Sequence, residues 1–296
     1  MILPPSSPPR WRMFLHRRFN ILACLSLFAL ITGQLLGNWH WIAELFSHFL
    51  PHYALIFILA ALLCIHRVRI LWATLALLCA ISLLNTSVFP TLSTPIQHRL
   101  LWYNVHLDNP DAIQESRFIL QQQADVIALA EINFHNPAWQ TLLQHYPHGC
   151  AHQEYSPFAL AVFSKQPLAA CEVHFIGEFA YIRAQYGSTT LFALHPPPPI
   201  NATLAQARHN YFTQLIPLIQ ASQQTLVVGD LNNSPFSPLF RTFTQQSQLQ
   251  ATTHPFQATW RPFLLHIDHI LSKNLTVQTH ALPFQHSDHR ALLAEW

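Results

Sequence analysis

Charged residues are scarce. Asp, Glu, Lys and Arg make up 9% of the 296-residue chain, while 51% of it is hydrophobic. An ordinary soluble domain carries roughly 25% charged residues, so this composition excludes a chain that faces water along its whole length. Residues 98–296 hold no cluster of Lys and Arg, which argues against a surface there built to hold a nucleic-acid backbone. Cysteine is sparse: the five follow no metal-site spacing. Cys24, Cys64 and Cys79 lie in apolar runs, where the residue acts as a small hydrophobe. Cys150 and Cys171 could pair in an oxidising compartment, but two cysteines make no disulfide framework. There is no internal repeat, and no low-complexity tract beyond the four prolines at 196–199.

What is present is unevenly spread. Residues 1–97 hold six arginines (Arg10, Arg12, Arg17, Arg18, Arg67, Arg69) and one acid, Glu44. Residues 98–296 hold nine Lys/Arg against twelve Asp/Glu, a formal balance of −3. That second part is long enough for one substantial core. It also carries fifteen of the histidines. They would turn its balance positive below about pH 6.5, although a compositional habit accounts for most of them.

Three apolar runs open the chain. Residues 19–43 carry no Asp, Glu, Lys or Arg and contain FNILACLSLFALITGQLL; 45–66 are again charge-free; a third run, ILWATLALLCAISLLNTSVF, begins at Ile70. A helix needs roughly 17–25 apolar residues to span a bilayer core. Each run is near that length, and three in succession exclude a signal peptide. The expectation is a cytoplasmic segment over 1–18, three transmembrane helices within 19–90 and a linker over 91–98. A hairpin of buried soluble helices is the alternative. By the Lys/Arg bias, the N-terminus and the HRVR link face the cytoplasm. The rest of the chain then lies on the other side of the inner or plasma membrane, which is the periplasm in a Gram-negative cell. Spans without charge offer no ion or proton path, so their expected role is anchorage.

Beyond the linker, LLWYNVHL, ADVIALAEIN, FALAVFSK, YIRAQY, TTLFALH, TLVVGDLN, HIDHILSK and ALLAEW read as strands, with helices over 111–123 and 203–222. Many strands and few helices point to an α+β domain of two packed sheets with helices outside. Polar residues recur at the strand ends: Asn104, Glu131, His195, Asp230, Asn232, Asp268, Asp288 and His289. Side chains there project into loops around a common rim. Acids, amides and imidazoles are also the groups that divalent-cation phosphoryl chemistry uses. Each has a bland reading as well: a turn residue for Asn104 or Asn232, a helix cap for Asp288, a structural imidazole for either histidine.

The ordered strings change the weighing. YNVH, DVIALAEIN, FALH, VVGDLN, HIDHIL and SDHRAL, taken in that order over about 99–296, resemble the endonuclease/exonuclease/phosphatase superfamily, membrane-anchored bacterial members included. The resemblance implies a DNase I-like two-sheet sandwich and a divalent-metal-dependent phosphoesterase using Mg²⁺ or Mn²⁺. It implies Glu131, Asn104 and Asp288 on the metal side and Asp230 at the attacking water. Asn232, His195 and His289 would stand at the phosphate or leaving group, with Asp268 orienting His289. Two departures stand out: Leu231 replaces the more common Phe of the GDLN string, and Phe158 stands where Gly is usual. Arg208 matches an arginine frequent in the helix after the family's histidine, and a solvated helix face explains it equally well.

The substrate stays open between a lipid head group or small phosphoester and nucleic acid; the anchor and the missing basic patch favour the former. Nothing calls for an obligate protein partner. The competing class is a non-catalytic, membrane-tethered binding domain of the same fold, which should have lost part of the polar set.

Overall fold

The computed structural model describes residues 9–65, 67–86, 88 and 95–296, in two compact units, Met1–Asn85 and Thr86–Trp296. Half of the expected linker (91–94), His66 of the HRVR link and most of the first ten residues lie outside the described residues.

The first unit is helical: α1 (Arg10–Leu36), α2 (Trp41–Ser47), α3 (Leu50–Leu63) and α4 (Val68–Leu84). Here the expectation of three spans is corrected. At about 1.5 Å per residue, only α1, with 27 residues, exceeds the ~30 Å of a bilayer core. The second apolar run is not one helix. Pro51, which lacks an N–H to continue a helix, sits in the first turn of α3, and α2 and α3 meet at a bend of 56°. The third run yields 17 helical residues, about 25 Å at that rise. The described helices thus supply one membrane-length apolar helix, or two if the bent pair counts as one span. Their outer faces are apolar, with Leu25, Phe28 and Leu35 on α1, Leu62 on α3 and Leu77 on α4 all exposed.

The second unit runs β1 (Arg99–Asn104), α5 (Ala112–Gln121), β2 (Val126–Ala130), α6 (Pro137–Gln144), β3 (His148–His152), β4 (Leu160–Ser164), β5 (Ala170–Ile176), β6 (Phe179–Tyr186), β7 (Thr189–Leu194), α7 (Ala202–Ala221), β8 (Gln224–Asp230), α8 (Pro238–Ser247), β9 (Gln250–Ala251), β10 (Asp268–Lys273), β11 (Gln278–Ala281) and β12 (Leu292–Glu295). The strands form two six-stranded sheets, ordered β11-β12-β1-β2-β4-β3 and β5-β6-β7-β8-β10-β9. This is the expected α+β sandwich, with α6 and α8 added to the helices read from the sequence.

Strand alternation explains why the central strands read as unbroken apolar runs. Leu100 and Trp102 of β1, Val126 and Ala128 of β2 and Leu226 and Val228 of β8 meet in the core between the sheets. Their neighbours Leu101, Tyr103, Ile127 and Leu129 face the layer of α5 and α6. Val227, like Phe192 of β7, faces the layer of α7 and α8. A strand covered on both faces has no polar side to show. Cys150 on β3 and Cys171 on β5 are disulfide-bonded, with Cα atoms 5.7 Å apart, which staples an edge strand of one sheet to an edge strand of the other.

Candidate active site

Each sheet contains one parallel strand pair, β1/β2 and β7/β8. Parallel neighbours end together, so Asn104 at the end of β1 lies beside the end of β2, where Glu131 follows. His195 likewise follows β7 beside Asp230, the last residue of β8. Antiparallel β10 begins at Asp268, directly opposite Asp230. The first half of the GDLN string serves this pairing: a Cβ at Gly229 would meet the Leu194 carbonyl oxygen at 2.3 Å, so only glycine lets β7 and β8 approach here.

Six side chains converge at this end of the sandwich. Asn104 Nδ2 donates to Glu131 Oε1 at 2.8 Å and to Asp230 Oδ2 at 3.2 Å, and lies 3.5 Å from His289 Nε2. His289 Nδ1 is 2.8 Å from Asp268 Oδ2, and its Nε2 is 3.7 Å from Asp230 Oδ2. His195 Nε2 stands 3.7 Å from that same Asp230 oxygen and 3.9 Å from Glu131 Oε1. Asp230 Oδ1 accepts from the Asn232 N–H at 2.9 Å. Asn104, Asp230, Asp268, His195 and His289 are all buried, while Glu131 is partly open. Glu131 and Asn232 take positive φ values of 58° and 47°. Such backbone is costly for residues other than glycine and collects at functional sites.

Two expected members stand apart. Asp288 Oδ2 accepts from Trp260 Nε1 at 2.8 Å, and its Oδ1 lies 3.3 Å from His106 Nδ1, on the rim of the cluster. The side chain of Asn232 is turned to the Pro196 carbonyl, to which its Nδ2 donates at 3.0 Å. Phe158, the departure from glycine, packs edge-on to Phe179 at 4.9 Å and against the His195 ring at 5.9 Å. Arg208 is not on a solvated face. It is buried and donates to the Asn232 carbonyl.

The burial of so many ionisable groups perturbs them. Burial first, then the neighbouring Asp268, raises the Asp230 carboxyl to about 7, against the opposing pull of His289 and the Asn232 N–H. Burial alone would lower His289; Asp268, then Asp230, overcome it and lift the imidazole to about 10. His195 is lowered by burial, despite Glu131. One imidazole is thus held as a cation and the other neutral, each 3.7 Å from the same Asp230 oxygen.

The Endonuclease/Exonuclease/phosphatase family model matches residues 101–289. The chain belongs to that family. Membership places it among enzymes that hydrolyse phosphoester bonds. No curated protein sequence matches the chain. Among solved structures, sphingomyelinase C from Streptomyces griseocarneus is similar at a TM-score of 0.52 and 18% identity, over 68% of this chain and 99% of that one. The 3′ phosphatase NExo from Neisseria, bound to a product DNA hairpin, is similar at 0.54 and 15%, over 68% and 99%. A beta toxin variant from Staphylococcus aureus with bound magnesium ions is similar at 0.51 and 15%, over 68% and 99%. At these identities the likeness establishes the fold.

Family members of this kind use a divalent cation, and the residues here suit one. Ligand atoms of Glu131, His195 and Asp230 lie within 4.8 Å of one another, as do those of Asp230, Asp268 and His289. The first group is the better cradle: it joins a partly open carboxylate to a neutral imidazole. In the second, His289 Nδ1 is already engaged with Asp268. Asp288 belongs to neither group.

Three contributors carried no sequence signal. Trp102 Nε1 donates to Asp268 Oδ1 at 3.0 Å, so the acid behind His289 is held from the sandwich core. Thr259 Oγ1 accepts from the Asp268 N–H at 2.9 Å. His106, with φ 63°, meets Asp288. Trp102 reads as one more apolar strand residue.

Proposed function

We propose that the chain is a membrane-anchored, divalent-metal-dependent phosphodiesterase or phosphatase whose site is formed by Asn104, Glu131, His195, Asp230, Asp268 and His289. The observation that carries this reading is the His289–Asp268 pair at 2.8 Å, set against Asp230 on its other side.

Phosphoester hydrolysis builds negative charge on the non-bridging and departing oxygens. Glu131, the partly open carboxylate, would hold Mg²⁺ or Mn²⁺ with His195 beside it; such an ion supplies charge stabilisation and acidifies water when bound. The chain's own groups account for the rest. The protonated His289, held in one orientation by Asp268, presents Nε2–H toward the reacting phosphate. Asp230, lifted toward neutrality, is poised to accept a proton from the attacking water near pH 7. Asn104 fixes the spacing of Glu131 and Asp230. Asp288, on the rim, belongs to the substrate side in this reading. A non-catalytic binding domain would have no use for a charged imidazole buried between two acids.

For the anchor, the support is α1 and the exposed leucines and phenylalanine of the helical unit. The disulfide fits an oxidising, non-cytoplasmic location for the domain. An anchored site without a basic patch favours a phospholipid head group or small phosphoester over duplex DNA.

The deciding experiment is hydrolysis of bis-p-nitrophenyl phosphate by the full-length protein in detergent, with Mg²⁺, with Mn²⁺ and with EDTA, beside the Asp230→Ala variant. Turnover that needs metal and is lost in the variant supports the reading; metal-independent turnover, or an active variant, rejects it.

A further inference from the structure

Glu115, on α5, is fully buried and belongs to none of the groups above. Its Oε1 accepts from the backbone N–H groups of His286 and Ser287, both at 2.7 Å, and from the Tyr103 hydroxyl at 2.9 Å. The Asn109 amide stands at 3.5 Å from the same oxygen, while Oε2 has no hydrogen-bond partner among the described residues. A buried carboxylate is expensive unless donors meet its charge. Were filling space the whole requirement, an apolar side chain would meet it at lower cost. The donors gathered here come from two places only: β1 with its following loop, and the turn that carries Asp288 and His289.

That turn is tied onward to the site. Ser287 Oγ donates to the Asn104 carbonyl at 2.8 Å and accepts from the His289 N–H at 3.0 Å. One carboxylate oxygen therefore anchors the backbone of residues 286 and 287. The next residue in the hydrogen-bond chain then links the strand end bearing Asn104 to the backbone of His289. The His289 side chain must meet Asp268 on one side and Asp230 on the other, so the height of this turn sets both distances.

We propose that Glu115 is a positioning residue for the reaction: its Oε1 seats the 286–289 turn on β1 and thereby places His289 between Asp268 and Asp230. This rests on the role assigned to His289 above. The effect is one of geometry, since Glu115 touches no substrate.

The test compares Glu115→Met, which keeps the volume and removes the acceptor, with Glu115→Gln in the full-length protein. Gln keeps a carbonyl oxygen at the Oε1 position, and its amide nitrogen takes the place of Oε2, where no donor stands. Glu115→Met is expected to lower kcat on bis-p-nitrophenyl phosphate by about tenfold to a hundredfold, the scale of an ångström-level misplacement, with KM within about threefold. Glu115→Gln is expected to recover to within a few-fold of wild type. Should Glu115→Met not fold, Glu115→Asp, which draws the acceptor back by one methylene, carries the same expectation. A Met variant with wild-type kcat per folded molecule, or a Gln variant as impaired as Met, would overturn the proposal.

A second readout is independent of turnover. The His289 Nδ1 proton held by Asp268 should give a downfield proton NMR signal, assigned by its loss in His289→Ala. It should persist in the Gln variant and shift or vanish in the Met variant. An unchanged signal in Met overturns the proposal even if the wild-type protein proves inactive on every phosphoester, an outcome that would reject the phosphoesterase reading separately.

Discussion

Asp268 holds His289 from one side at 2.8 Å while Trp102 holds Asp268 from the other at 3.0 Å, so the imidazole is positioned by a relay that begins inside the sandwich core. Asp268 opens β10 and Trp102 sits on β1 of the facing sheet. The two sheets must be packed for the relay to exist.

His289→Ala is expected to lower kcat by at least about a hundredfold, the usual scale of general acid–base assistance. Asp268→Asn removes the leading influence that keeps the imidazole charged against burial. The His289 pKa then falls from about 10, so the alkaline limb of the kcat profile moves to lower pH. A pH–rate profile of the Asn variant that overlays wild type would refute this assignment.

Trp102→Phe leaves Asp268 Oδ1 without its indole donor in a fully buried position. An unmet buried acceptor costs about 1–3 kcal/mol. The expected outcome is a lower urea midpoint together with a drop in kcat at nearly constant KM. A loss of stability with kcat intact would show that the indole serves packing alone.

The sequence reading succeeded where a strand is covered on both faces and failed at the rims. Every strand it named, from LLWYNVHL to ALLAEW, is in a sheet. The four it omitted, β3, β5, β9 and β11, are the outer strands of the two sheets. HGCAH, QA and QTHA are short and largely polar, and ACEVHFI leaves Phe175 exposed, so none shows a buried run. The short strings GDLN and SDH point to Asp230, the last residue of β8, and to His289, three residues before β12. Trp102 and Glu115 act across 166 and 171 or more residues of chain, a relationship that periodicity cannot carry. In the helical unit the apolar runs are legible as runs, but their length does not show the break before Pro51.

His266 and His269 are stacked with ring centres 4.6 Å apart, buried beside the start of β10. Burial lowers His266 to about 4 and His269 well below its ordinary value. Both rings are therefore neutral in the folded protein and would protonate first in the unfolded chain. As pH falls from about 6.5 toward 4, the unfolded state binds protons that the folded state refuses, so stability declines, by up to about 1.4 kcal/mol per pH unit for each ring. Above about pH 7 the pair contributes no pH dependence. Measured against wild type, His266→Phe should lose less stability in urea between pH 7.5 and pH 5, because the wild-type ring alone carries that proton linkage; an equal loss in the two proteins would remove His266 from the account.

The Cys150–Cys171 bond closes a loop of 21 residues and joins β3 to β5, edge strands of opposite sheets. Loop-closure entropy for that length corresponds to about 3 kcal/mol of stabilisation, removed from the unfolded state rather than added to the folded one. Replacing both cysteines by serine should therefore lower the stability of the domain by about that amount. The hydrogen bonds of the proposed site, at the strand ends bearing Asn104 and Asp230, involve neither cysteine, so kcat per folded molecule should be unchanged. Denaturation of the wild-type protein with and without reductant provides the matching measurement. Equal midpoints in the two conditions, with the bond verified by thiol counting, would show that these edges are held by their own packing.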